Sequence, residues 1–209
     1  MDEIVKQAMI KWPNVPHCYG WLALDARGDW RMRDEQAQTE KLPGERIQNA
    51  ALVQFINRNY QCDERGCWYF QNGPQRVYVE LEATPFIART NPLQGFILHT
   101  GDRLGIVNGV WMTDQGNLIL QTLDKLAQID DRDLLHCLNL LKLDGKPPTE
   151  DAFLAYLQEN EATDNKKSVL TLHLAGRMLP IKRLSADELC SHFGFVRHPD
   201  QVAKLQRQA

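Results

Sequence analysis

The sequence has no long apolar run, no excess of basic charge and no amino-terminal leader pattern. No stretch approaches the roughly 20 uncharged apolar residues that span a bilayer. The opening MDEIVKQAMIKW places acids where a signal peptide carries bases. Lys and Arg number 24 against 27 Asp and Glu, a formal net charge of -3, so there is no general footprint for nucleic acid. We therefore expect a soluble, cytoplasmic protein with neither a membrane nor a nucleic acid as its partner.

Signatures of catalysis, metal binding and cofactor binding are also absent. The five cysteines are odd in number and lack the regular spacing of a disulfide framework, which suits a reducing compartment. There is neither a G-x-S-x-G elbow nor a glycine-rich phosphate loop. The adjacent pair His17-Cys18 has no second pair at zinc-ligand spacing. We therefore predict no catalytic residue, no metal and no cofactor, and a non-enzymatic role is favoured over an enzymatic one.

Turn signals divide the sequence into short strands and helices. Asn72-Gly73 separates two strand-like segments, and this pair favours the type I′ turn of a β-hairpin. Asp25-Ala-Arg-Gly28 separates another two, because Asp can bond the backbone ahead of it and Gly tolerates positive φ. The pattern D-x-R-G-x-W that begins at Asp25 recurs at Asp63. One kind of turn is therefore predicted to begin two strands that carry aromatic residues.

The two halves of the chain have the same order of parts, namely hairpin, helix and hairpin. A helix is predicted over residues 45–60 in the first half, and helices over 134–143 and 149–159 in the second. The predicted fold class is α+β, with two similar units of antiparallel hairpins packed against helices. The N-terminal unit is placed at residues 1–92 and the C-terminal unit at 93–209. Since identity between the halves is low, a coincidental order of elements is the alternative.

The end of the chain carries a helix signature. Ser185 and Glu188 have the spacing of a capping box, and Gly194 is suited to end the helix that follows. A polar loop is predicted over residues 162–167, and the tail from His198 onward is predicted to fray.

Two stretches carry a resemblance to known families. The runs KWPNVPHCYGWLALDARGDWRMRDE and RNYQCDERGCWYFQNGPQRVYVELEATPF resemble a proteobacterial family of uncharacterised conserved proteins. The pattern formed by Gly44, Ile47, Leu52 and Phe55, by Asp63, Gly66 and Trp68, and by Val77 to Phe86 is similar to a second bacterial family of unknown function. That family is described as having repeated structural motifs and a suggested signalling role. The resemblance covers roughly residues 12–135 and implies an internal repeat, but no catalytic residue.

Aromatic residues, proline and arginine concentrate in residues 12–33 and 58–78. Aromatic side chains beside arginine are typical of interface hot spots and of pockets for anions. The candidate binding residues are Trp12, His17, Tyr19, Arg33, Arg76 and Tyr78.

Two functional hypotheses follow from this concentration. The first is a non-enzymatic binding or regulatory module that recognises a protein or a small anionic ligand. The second is a hydrolase of unrecognised type that uses His17 or His99 with nearby carboxylates. The structural alternative is that these aromatics fill a small core, which is the expectation for Trp21, Trp68 and Phe70.

Overall fold

A computed structural model describes residues 1–158 and 168–208, without the side chains of residues 157, 158 and 204–208. These residues form helices and two β-sheets, which confirms the predicted α+β class. The helices are α1 (Glu3–Lys11), α2 (Glu35–Thr39), α3 (Ala50–Arg58), α4 (Leu134–Leu138), α5 (Glu150–Gln158), α6 (Leu189–Phe193) and α7 (Pro199–Gln208), with a 3₁₀ turn at Asp131–Asp133. None of the helices described is long and apolar enough to cross a membrane.

The first sheet has six strands in the order β3-β2-β1-β6-β5-β4. Every neighbouring pair is antiparallel except the central pair, β1 and β6, which is parallel. Two antiparallel groups of three strands are therefore joined side by side at the middle of the sheet. The strands are β1 (Cys18–Leu24), β2 (Trp30–Met32), β3 (Glu45–Arg46), β4 (Tyr60–Cys62), β5 (Trp68–Asn72) and β6 (Gln75–Leu81).

The second sheet has eight strands in the order β12-β13-β14-β9-β10-β11-β7-β8. Its strands β9 to β14 repeat the order of β1 to β6, again with one parallel pair, β9 and β14, at the join. The hairpin of β7 and β8 adds to this sheet beside β11. The strands are β7 (Phe86–Asn91), β8 (Gly95–Leu98), β9 (Gly109–Thr113), β10 (Leu118–Gln121), β11 (Leu126–Ile129), β12 (Leu141–Leu143), β13 (Leu170–Leu174) and β14 (Arg177–Leu184).

The two six-stranded groups are built with the same first turn. Between β1 and β2, Asp25 Oδ1 accepts a hydrogen bond from Asp29 N, and Gly28 N donates to Asp25 O. Between β9 and β10, Thr113 Oγ1 accepts from Asn117 N, and Gly116 N donates to Thr113 O. A hydroxyl in one copy thus makes the bond that a carboxylate makes in the other. The division after residue 92 falls in the turn between β7 and β8, and it stays a prediction.

One hydrophobic core joins the two sheets, since the buried residues of both belong to a single cluster. Trp30 lies in it, 2% exposed, and its indole Nε1 donates to Asn57 Oδ1 at 2.7 Å. Phe70 is buried in this core as predicted, and Trp68 packs against it. The expectation was wrong for Trp21, which is 41% exposed.

Four local predictions are corrected by the structure. The helix predicted from residue 45 begins at Ala50, because residues 45–46 pair with β2 and Asn49 Oδ1 caps Leu52 N. The helix predicted over 134–143 ends at Leu138, since residues 141–143 pair with β13 instead.

Near the C-terminus, Ser185 caps no helix, because α6 begins at Leu189 after Glu188, and no side chain caps it. Ser185 instead donates to Asp114 Oδ2 at 3.4 Å. The tail predicted to fray forms α7. The loop predicted over residues 162–167 lies outside the described residues.

Candidate functional site

The second D-x-R-G-x-W turn, between β4 and β5, is held by one carboxylate. Asp63 Oδ1 accepts hydrogen bonds from Arg65 N and Cys67 N, both at 3.0 Å. Gly66 takes a φ of +79°, a conformation that glycine adopts without strain. The turn therefore leaves the second oxygen of Asp63 free to hold side chains.

Arg65 and Tyr78 bind that second oxygen. Arg65 folds back on Asp63, with its Nε and Nη2 at 2.9 and 2.6 Å from Oδ2. The Tyr78 hydroxyl donates to the same oxygen at 3.0 Å and accepts from Arg65 Nη2 at 2.8 Å. These three side chains form a hydrogen-bonded network on the face of the first sheet that is turned away from the shared core.

Aromatic rings surround Tyr78 on this face. Tyr19 stacks on it, with centroids 4.6 Å apart and planes only 4° from parallel. The rings of His17 and Tyr69 each lie 5.7 Å from it. The Arg76 guanidinium lies over the Tyr69 ring at 4.7 Å. We call this group the tyrosine cluster; its members are His17, Tyr19, Asp63, Arg65, Tyr69, Arg76 and Tyr78.

Strand pairing explains why these side chains meet. The register of the parallel pair β1 and β6 is irregular between Cys18 and Leu22, where Gly20 has a φ of +82°. This irregularity lies beside Tyr19, which stacks on Tyr78 of β6, and Tyr78 is opposite Tyr69 of β5. Gln75 Nε2 also donates to Pro16 O at 3.0 Å, which ties the segment before β1 to the β5–β6 hairpin.

The charged members carry a net positive charge. The hydrogen bonds to Asp63 raise the pKa of Arg65. Burial raises the pKa of Asp63, but the bonds from Arg65, Cys67 and Tyr78 outweigh it and leave that pKa below its usual range. Burial lowers the pKa of Arg76, and its bond to Tyr78 outweighs this effect, so the net shift is upward. Two guanidinium groups against one carboxylate leave one positive charge.

His17, Tyr69 and Tyr78 are uncharged at neutral pH. Burial raises the pKa of Tyr78 to about 12 and also raises that of Tyr69, so both phenols keep their protons. Burial, followed by the charges of Arg76 and Arg65, lowers the pKa of His17. The cluster thus combines a fixed positive charge with hydroxyl groups, which is the chemistry of an anion site.

Four of the six predicted binding residues lie in the cluster, namely His17, Tyr19, Arg76 and Tyr78. Trp12 follows α1 and is 51% exposed, with Lys11 Nζ 4.5 Å from its ring. Arg33 donates to Leu42 O and Ala37 O around α2. Among the hydrogen bonds and ring contacts of the described residues, none joins Trp12 or Arg33 to the other four.

Asp63, Arg65 and Tyr69 were not among the predicted site residues. The repeated D-x-R-G-x-W pattern did contain the first two, but the sequence indicated only a turn. The fold-back of Arg65 onto Asp63 does not follow from that pattern, because in the other copy Arg27 binds Asp131 instead. Tyr69 could have been predicted from its position next to Phe70 on β5, because neighbouring residues of a strand point to opposite faces of the sheet.

The second predicted histidine, His99, is built into the core. Its ring contacts Trp30, Tyr60 and Phe86, and Nδ1 accepts from Ile87 N at 3.2 Å. Burial lowers its pKa to about 3, so the ring stays neutral. Across the part of the chain that the structure describes, no group of three or more His, Cys, Asp or Glu side chains is placed to hold a metal.

A cavity of about 520 Å³ lies elsewhere, between α3 and the turn joining β10 to β11. Its cationic lining residues already have partners, since Arg58 bonds Asp2 at 3.2 Å and Lys125 bonds Asp124 at 2.9 Å. The cavity therefore offers a ligand less uncompensated charge than the tyrosine cluster does.

Comparison with known proteins gives a family model and two solved structures. The family model described as "Protein of unknown function (DUF2946)" matches residues 1–200. A DUF1285 family protein from Silicibacter pomeroyi is 13% identical, with a TM-score of 0.48 over 90% of this chain and 98% of that one. A DUF1285 family protein from Shewanella baltica is 14% identical, with a TM-score of 0.40 over 57% and 91%. No curated protein matches the chain.

Proposed function

The chain belongs to the DUF2946 family of proteins of unknown function, as its resemblance to uncharacterised proteins predicted, and we propose that it binds a small anionic ligand at the tyrosine cluster. The observation that carries this proposal is the environment of Arg76. Its side chain is half-buried and held over Tyr69, yet no carboxylate of the described residues lies within 4.0 Å of it.

A half-buried guanidinium without a counter-ion is costly, because burial removes part of its hydration. An oxyanion placed beside Arg76 restores that interaction with charge-assisted hydrogen bonds. The neighbouring Arg65 adds little net attraction, since Asp63 neutralises it. Arg76 is therefore the main source of affinity in this proposal, and the tyrosine rings hold it in position.

The ligand is recognised by its charge and not by an aromatic ring. The Tyr78 ring already stacks on Tyr19, and the Tyr69 ring already carries Arg76. A compact group such as a phosphate, sulfate or carboxylate matches the planar donors of arginine. A partner protein that presents such a group would use the same donors.

Titration of the purified protein with sulfate and inorganic phosphate, followed by calorimetry or NMR, tests the proposal. Arg76→Gln should weaken binding at least tenfold, about 1.4 kcal/mol, and raising the salt concentration should weaken binding to the wild type. Arg46→Gln is the matched control, because Arg46 lies on edge strand β3 of the same sheet with its side chain 62% exposed. Equal affinities for Arg76→Gln and wild type would exclude Arg76 as the anion-binding group.

We further propose a cytoplasmic location and a regulatory or signalling role without catalysis. Five free cysteines support a reducing compartment. The closed core around His99 supports binding over hydrolysis, because that histidine offers no accessible base.

A further inference from the structure

The cavity between α3 and the turn joining β10 to β11 has an aromatic base. Tyr60 and Phe86 line it, and both residues are buried, with their rings 5.8 Å apart at 74°. The Tyr60 hydroxyl already donates to Pro85 O at 3.0 Å. These two residues therefore offer a ligand aromatic carbon and no open polar group. The volume of about 520 Å³ is that of a site for a small molecule.

Both halves of the chain build this cavity, and hydrogen bonds fix the parts that line it. Asn57 of α3 lines it from the first half, and its Nδ2 donates to His99 O at 3.4 Å. Thr100 and Asp102, in the loop after β8, line it from the second half. Leu98 N donates to Asp102 O at 2.8 Å, which ties this loop to β8. The cavity is therefore formed without a ligand, as most small-molecule sites are.

The charges around the cavity leave a carboxylate open. Arg58 and Lys125 each bind a carboxylate already, at 3.2 and 2.9 Å. Among the described residues, no Lys, Arg or His side chain and no amino-terminal nitrogen lies within 4.0 Å of the Asp102 carboxylate. Thr100 Oγ1 donates to its Oδ2 at 3.0 Å, and Oδ1 stays open to a further donor. Because Asp102 is exposed, water solvates this oxygen in the free protein.

We propose that the cavity is a second binding site, which takes a small organic amine. The ammonium group bonds Asp102, and the carbon skeleton lies against Tyr60 and Phe86. Burial of the skeleton on the two rings supplies most of the affinity, since an ion pair with an exposed carboxylate contributes little. Asp102 instead selects the sign of the charge, and the aromatic rings favour a cation nearby as well. The site is independent of the anion site at the tyrosine cluster.

Phenethylamine, phenethyl alcohol and phenylacetate test the proposal, because they have similar skeletons and carry a positive charge, no charge and a negative charge. Titration of the full chain by NMR should show phenethylamine binding at least threefold more tightly than the alcohol, and phenylacetate most weakly. The backbone amides of Thr100 and Asp102 should shift on binding.

Three variants separate charge from shape at this site. Asp102→Asn should weaken phenethylamine binding at least threefold and leave the alcohol unaffected. Gln54→Lys, which adds a cation to an exposed lining position on α3, should have the same effect. Asp187→Asn is the matched control, because Asp187 is exposed in the segment before α6, and it should change neither affinity.

The contrary outcomes are equally definite. Phenylacetate binding as tightly as phenethylamine, wild-type amine affinity in Asp102→Asn, or no binding of any of the three compounds would each overturn the amine site. Arg76→Gln should leave phenethylamine binding unchanged, and Asp102→Asn should leave sulfate binding unchanged. Failure of the amine site therefore leaves the proposed anion site standing, and the reverse also holds.

Discussion

Replacement of Asp63 should separate the turn from the network that it supports. Asp63→Ala removes the acceptor of two backbone amides, of Arg65 and of the Tyr78 hydroxyl. Asp63→Asn keeps an oxygen that the two amides can use, but it removes the charge that Arg65 requires. Asp25→Ala is the matched variant in the other copy of the turn, where the carboxylate holds two amides and Arg31.

The magnitudes follow from the contacts. A hydrogen bond to a charged group contributes about 1.5–3 kcal/mol, but the Arg65 side chain is 32% exposed and recovers part of its hydration when Asp63 is lost. We expect Asp63→Ala to lower the free energy of unfolding by about 3–4 kcal/mol, and Asp63→Asn to lower it by about 1–2 kcal/mol. Asp25→Ala should cost about 3 kcal/mol, because its carboxylate is also buried.

Urea unfolding at pH 7 measures these differences, provided that the slope of the transition stays constant. The folded pKa of Asp63 is lowered, so its stabilisation is present above about pH 3.9, the unfolded value, and is lost as pH falls through the folded value. The difference in unfolding free energy between wild type and Asp63→Asn should therefore disappear at low pH. A difference in unfolding free energy that stays constant from pH 7 to strong acid would refute this reasoning. Equal losses of unfolding free energy in Asp63→Ala and Asp63→Asn would also refute it.

Three other predictions test separate features of the structure. Because the pKa of His17 is lowered, it gains a proton only below about pH 6.5, so sulfate affinity should rise as the pH falls below that value in the wild type and stay flat in His17→Gln, as calorimetry would show. Gly66→Ala should lower the free energy of unfolding by about 3 kcal/mol or more. Gly116→Ala, with a similar φ but open space around it, should lower it by about 1–2 kcal/mol. Equal losses in urea unfolding would contradict the close approach of Gly66 to Gly194. Trp30→Phe should lower unfolding free energy by about 2–3 kcal/mol through loss of a buried indole hydrogen bond, and a loss below about 1 kcal/mol would contradict that role.

Local patterns predicted the hairpins well because a turn is determined by a few adjacent residues. Asn72-Gly73 lies at the end of β5, just before β6, as expected. The predictions were wrong where a contact with a distant part of the chain overrides a local sequence pattern that is typical of a helix. Residues 141–143 follow an apolar helical pattern, yet Leu141 pairs with Leu172. Likewise Ser185 bonds Asp114, 71 residues away, and not its own helix. Neither partner is visible in a short window of sequence.

The candidate site was predicted in part for the same reason. His17, Tyr19, Arg76 and Tyr78 belong to strands β1 and β6 or the segment just before β1, and aromatic and arginine content identified them. Their contact depends on the parallel pairing of β1 with β6, two strands about 60 residues apart whose register is irregular. The pairing of Val196 with Cys67 could not be predicted, because the two residues lie in different halves of the chain.

The two D-x-R-G-x-W turns show how one local structure can serve two purposes. In both, the Asp carboxylate holds the same two amides, so the backbone is equivalent. The glycine of each turn meets the second half of the chain: Gly28 lies against His99, and Gly66 against Gly194. The difference lies in the arginine. Arg27 reaches across to Asp131 and ties the two halves together.

Arg65 folds back on its own Asp63, where it fixes the Tyr78 hydroxyl. The first turn therefore contributes to assembly of the two sheets, and the second organises the side chains of a surface. If this division is correct, Arg27→Gln should lower the unfolding free energy by less than about 1 kcal/mol, as expected for an exposed ion pair, and leave sulfate binding unchanged. Arg65→Gln should alter sulfate binding. The reverse pattern, measured by urea unfolding and calorimetry, would show that the two turns have not diverged in this way.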